Sequence, residues 1–110
     1  MNELVKIALS YFNCISNKNI KKLKQLLSED IILQDWDLYL YNLNKVNEHN
    51  KKLFLSVDKI EIKIIDIYYD KMSTICEIEI IVDNINKINV VDILKFNNRK
   101  KISKITAYRR

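Results

Sequence analysis

The stretch INVVDILKF, residues 88–96, alternates in a way that decides the class of fold. With a period of two, Ile88, Val90, Leu94 and Phe96 share one face of a strand, and Asp92 sits in the middle of that face. The segments around it repeat the pattern. Residues 73–83 put Thr74, Cys76, Ile78, Ile80 and Val82 on one side and Glu77 and Glu79 on the other. Residues 58–69 alternate through Ile60, Ile62 and Ile64, then change phase to Ile65, Ile67 and Tyr69, as a β-bulge requires. ISKITAY, residues 102–108, supplies a last strand. DNIN and NNRKK are short polar links, so the four strands read as an antiparallel meander.

The chain before residue 58 changes period. Leu4, Ile7, Ala8, Tyr11 and Ile15 are spaced as one face of a helix over 3–16. After the polar link SNKN, Asn19 can cap a second helix over 20–28, with Ile20, Leu23, Leu26 and Leu27 inward. IILQDW, residues 31–36, is a short strand, and DLYLYNLN is either a further short strand or an irregular turn. Asn44 can cap a third helix over 45–56, with Val46, Leu53 and Phe54 inward. Helices grouped early and strands late predict one α+β domain, 1–110: three N-terminal helices packed on one face of a curved, mainly antiparallel sheet.

Composition narrows the function classes. With 110 residues, a single core burying roughly two thirds of the chain's surface is feasible. No apolar run approaches the ~18 residues needed to cross a bilayer, and the N-terminus lacks a signal-peptide pattern, so a cytoplasmic protein without a membrane role is expected. The net charge of +5 is spread along the chain apart from Arg99, Lys100 and Lys101. No aromatic-plus-basic platform accompanies it, so no nucleic-acid partner is expected. Cys14 and Cys76 lie in separate apolar segments and read as buried thiols. His49 is the only histidine, so neither a metal nor another cofactor is expected. Glycine and proline are absent. Turns that need positive φ must then use Asn, Asp or Lys, and a glycine-rich phosphate loop is excluded.

Three polar residues fall on apolar faces: Tyr11 in the first helical stripe, Asp35 in parity with Ile31 and Leu33, and Asp92. A buried carboxylate must pair with a cation, accept several hydrogen bonds or hold its proton. The first outcome is structural, and the last would suit a site lining a cavity.

The segment SYFNCISNKNIKKLKQLLSEDIILQDW, residues 10–36, resembles the opening of the NTF2-like, SnoaL-like superfamily. Both run from a helix with an aromatic residue to a second helix ending in an acidic pair (here Glu29 and Asp30), then a strand ending in Asp. VVDILKFNNRKKISKITAY, residues 90–108, resembles the last hairpin of the same superfamily. The resemblance implies a cone-shaped α+β fold. Among its members the nearest chemistry is that of ketosteroid isomerase. That likeness implies Asp35 as general base, with Tyr11 and a protonated Asp92 as donors to an oxyanion. It also implies a small apolar carbonyl-containing ligand, contacted by Trp36, Tyr39, His49 and Phe54. Trp36 stands where the isomerase has proline. Such domains pair through the outer sheet face, where Ile75, Ile81, Val91 and Ile93 are available for a homodimer. The alternative is a non-catalytic ligand-binding or protein-interaction module on the same fold.

Overall fold

The computed structural model describes residues 1–110. The elements in chain order are α1 (Glu3–Ser16), α2 (Ile20–Leu26), β1 (Leu27–Gln34), β2 (Tyr39–Tyr41), α3 (Leu43–Ser56), β3 (Ile60–Tyr69), β4 (Ser73–Val82), β5 (Asn86–Phe96) and β6 (Ile102–Arg109). One six-stranded sheet has the order β2-β1-β6-β5-β4-β3. β1 runs parallel to β6, and every other neighbouring pair is antiparallel. The expected meander is therefore β3 to β6.

The placement and length of the helices need correction. The three helices do not all precede the strands, because α3 follows β1 and β2. The chain forms a short hairpin at the sheet's far edge before it returns as a helix. The second helix also stops at Leu26. Leu27 takes an extended backbone (φ −100°, ψ 144°) and pairs with Ile102, so residues expected to end a helix begin a strand.

Asparagine and its substitutes do the work of the missing glycines. The residues with positive φ are Lys18, Asn42, Asp83, Asn84 and Lys100. Asp83 and Asn84 together make the tight turn between β4 and β5, where two successive positive φ values match the twist of the flanking strands. Asp83 Oδ1 also accepts from the backbone N–H groups of Asp58 (2.9 Å) and Lys59 (2.8 Å), which ties this turn to the start of β3. Asn42, not Asn44, caps α3: its side chain accepts from Lys45 N at 3.0 Å. Its own N–H donates to Ile31 O at 2.9 Å, anchoring the helix start to β1. The change of phase in β3 is a bulge, with the register to β4 shifting between Ile64 and Asp66.

The helices lie on the concave face. Phe12, Leu23, Ile31, Leu94, Ile102 and Ile105 are among the fully enclosed residues of one continuous core. Cys14 and Cys76 are buried free thiols, as their apolar settings predicted. No helix is long and apolar enough to cross a membrane.

Candidate active site

At one end of the cone the core gives way to a cavity of about 140 Å³. Its floor is the concave sheet face, including Leu33, Ile60, Ile62, Ile78, Ile80, Val90 and Ala107. Tyr11, Phe12 and Ile15 from the second half of α1 form one wall, and His49, Asn50 and Leu53 from α3 form the other. Asp35, Trp36 and Asp92 complete the lining. The three polar residues that periodicity turned inward thus meet in one space.

Asp92 reaches the cavity because it keeps the inward parity of β5, opposite Cys76 on β4 and Ala107 on β6. It is 8% exposed. The ion pairs of the chain are Lys59–Glu61 and Lys100–Glu3, so Asp92 has no cationic partner. Burial first, and the charge of Asp35 second, push its carboxyl up to about 7. Both causes favour the protonated acid, which can donate a hydrogen bond. No salt bridge accounts for this carboxyl on an apolar face, and its burial favours the protonated acid.

Tyr11 is buried beside Phe12, their rings edge to face at 5.2 Å. Burial raises its phenol well above the usual value, with Asp92 and then Cys76 adding to the effect. The hydroxyl therefore stays a donor. Asp35 follows the last residue of β1 and is half-buried. Its N–H donates to Leu38 O at 2.9 Å, and its Oδ1 accepts from Asp37 N at 2.8 Å. This local turn fixes the carboxylate at the cavity mouth.

The expected ligand contacts divide. Trp36 and His49 line the cavity. Tyr39 does not: it pairs with Gln34, whose parity is that of the convex face, and is 61% exposed. Phe54 is also absent from the lining and packs in the apolar core. Asn50 is a lining residue that sequence reasoning missed, although its place four residues after Val46 and three before Leu53, on the inward side of the helix, was the available signal. No cluster of His, Cys, Asp and Glu could hold a metal ion.

A more open cleft of about 330 Å³ lies at the opposite end, among Glu3, Asp70, Met72 and Asn98. Its carboxylates are already engaged. Asp70 accepts from Ser73 and Met72, and Glu3 pairs with Lys100.

No protein-family model matches the chain, and no curated protein is significantly similar to it in sequence. Solved structures do match in shape. A candidate ketosteroid isomerase from Kribbella flavida superposes with a TM-score of 0.84 at 14% identity, over 96% of this chain and 76% of that one. A candidate SnoaL-like polyketide cyclase from Shewanella putrefaciens gives 0.84 at 13% identity, over 99% and 80%. An LEH-like epoxide hydrolase from M. tuberculosis gives 0.85 at 14% identity, over 98% and 83%. The fold is NTF2-like. An NTF2-like cone is shared by proteins with different chemical names, so at these identities the likeness fixes the frame, and the cavity's own residues must carry any chemistry.

Proposed function

We propose that this NTF2-like chain is a small-molecule enzyme that abstracts a proton next to a carbonyl group. The observation that carries the reading is a pair of carboxyls in one apolar cavity, held in unlike environments. Asp35 is half-buried at the mouth, where its Oδ1 accepts from the Asp37 backbone N–H. Asp92 lies deep, without a cation, and favours its protonated form. One carboxyl then serves as base and the other as donor.

With a carbonyl oxygen directed at Tyr11 and Asp92, Asp35 takes the proton from the neighbouring carbon. Negative charge develops on the oxygen, where two preset donors in a mainly apolar cavity stabilise it. The proton on Asp35 returns to the same or a conjugated carbon, so the net reaction is exchange or isomerisation. Activity falls as pH rises through about 7, because Asp92 then loses the proton it donates.

The test is deuterium incorporation from D₂O into cyclohexanone, followed by NMR. Asp35→Asn should slow it by about 10²–10⁴-fold while leaving folding intact. Exchange at the wild-type rate in that variant sinks the reading. A non-catalytic binding module is the second reading. It is favoured by the cavity's size, which is below the roughly 300–1,000 Å³ of ordinary ligand pockets. Saturable binding of cyclohexanone without exchange would select it.

The convex face is the proposed contact for a second copy. Ile75 is exposed and Ile81, Val91 and Ile93 are half-buried in the single chain. Sedimentation should give twice the 13.2 kDa of one chain, and Ile75→Lys should return the monomer mass.

A further inference from the structure

The cavity mouth carries a cation that the proposed reaction does not use. On β6, Ala107 pairs with Asp92 and Arg109 pairs with Val90. Asp92, Val90 and Ala107 all line the cavity, so Arg109 leaves its strand on the same concave side, one step nearer the opening. Its guanidinium carbon lies 5.8 Å from the centre of the Trp36 ring. A cation over an indole face is attracted by the ring's negative π surface, so the guanidinium is held at the mouth. Arg110 N donates to Asn89 O at 2.9 Å, which keeps this end of β6 in the sheet. Arg109 belongs to neither of the chain's ion pairs. A guanidinium that sits over a ring and meets no carboxylate keeps N–H donors free for a planar anion.

Size sets what can reach that edge. The cavity's ~140 Å³ is close to the roughly 150 Å³ of an engineered apolar cavity that admits benzene. A ligand whose carbonyl meets Tyr11 and Asp92 therefore has room for one ring-sized body. Any further group emerges beside Trp36 and Arg109. The Arg109 cation, which belongs to no ion pair, makes an anion welcome at the mouth. Resting on the proposed function, we infer that the natural ligand is a ring-sized carbonyl compound bearing a carboxylate, and that Arg109 receives the carboxylate at the mouth. Two parallel N–H···O bonds to the guanidinium would fix the ligand's direction, with its carbonyl end inward. Arg109 is thus a specificity-determining residue and takes no part in the proton transfer.

Trp36 is the only tryptophan of the chain, so its fluorescence reports occupancy of the mouth. The probes are benzoate and its neutral isostere benzamide, titrated at pH 7.5 into the full chain. The wild type should show a saturable change with both, with benzoate bound about tenfold more tightly. Arg109→Ala should bring the two affinities within twofold by weakening benzoate, and Arg109→Lys should restore part of the preference. Urea titration of both variants checks that they fold. The inference is overturned if the wild type does not prefer benzoate, if the preference survives in Arg109→Ala, or if that variant weakens both probes equally. The last result would mean that the contact of Arg109 with Trp36 only shapes the opening. A benzoate preference that depends on Arg109, in a protein that fails to exchange deuterium into cyclohexanone, would uphold the carboxylate site and defeat the proton-transfer reading alone. Absence of binding by either probe would overturn the inference.

Discussion

Strand β5 passes through both ends of the cone, and its inward side chains meet different surroundings at each. Leu94 and Phe96, 0% and 4% exposed, lie in the apolar core with Leu4, Ala8, Ile102 and Ile105. Val90 and Asp92, 2% and 8% exposed, keep the same parity but face the cavity. Alternation alone does not separate these settings. The difference lies in what covers the sheet. Leu4 and Ala8 from the first half of α1 join the core at one end, whereas Tyr11, Phe12 and Ile15 from its second half stand across the cavity from Ile60, Ile62 and Ile78. The enclosed residues around Leu94 can supply the stability that an unpaired buried carboxyl at the other end removes.

The largest expected effect tests the packed end. Leu94→Ala deletes a fully enclosed side chain where the surroundings are already filled, and should cost about 2–5 kcal/mol. That is a large share of the ~5–15 kcal/mol typical of a domain. Urea titration would read it as a lower midpoint with an unchanged slope. A loss under about 1 kcal/mol would mean that this end is not the tighter one.

The next effect has the opposite sign and belongs to the cavity end. The folded state holds the proton of Asp92 up to about 7, against a usual 3.8. Between these values the folded chain binds more protons than the unfolded one, so stability falls as pH rises from about 4 to 7 and levels off above. Asp92→Asn removes this dependence. The variant should match the wild type near pH 4 and exceed it by up to roughly 4 kcal/mol above pH 7, the free-energy equivalent of that rise in pKa. Urea midpoints of the pair at pH 4 and pH 8.5 are sufficient. A wild-type advantage at pH 8.5 would show that the ionised carboxylate is satisfied, and the contrast between the ends would collapse.

The two ends also differ in how much of each could be read in the sequence. The alternation of β5 and the helical stripe of α1 placed Asp92 and Tyr11, because each face is set by local geometry. Asp35 followed from its parity with Ile31 and Leu33. What brings Asp35 to the others is the parallel pairing of β1 with β6, a contact between distant segments that no local period encodes. Tyr39 was misplaced although YLY held the answer. Leu40 pairs with inward Leu33, so the two tyrosines face outward. Phe54 is turned about 100° around α3 from Leu53 and packs in the core, while Leu53 and Asn50 reach the cavity. Arg109 reads as a solvated residue at a strand end. Its parity with Ile105 and Ala107 was visible, but nothing in the sequence places Trp36 beneath it.

The smallest expected effect separates a structural hydroxyl from one reserved for a ligand. Tyr11 packs its ring against Phe12, and Tyr11→Phe keeps that contact while removing only the oxygen. A buried hydroxyl bonded within the protein contributes about 1 kcal/mol, and its loss appears as lower stability. The Tyr11 hydroxyl instead faces the cavity shared with Asp92. Its removal relieves desolvation, so stability should change by less than about 0.5 kcal/mol or rise slightly. In the exchange assay the same variant should lose activity, since one of the two proposed oxyanion donors is gone. A stability loss of about 1 kcal/mol with unchanged exchange would reassign Tyr11 to the packed end's role. Unchanged stability with slower exchange is the outcome that a donor facing a ligand produces, because packing is the same in the two proteins and the single missing atom is the one proposed to meet the carbonyl.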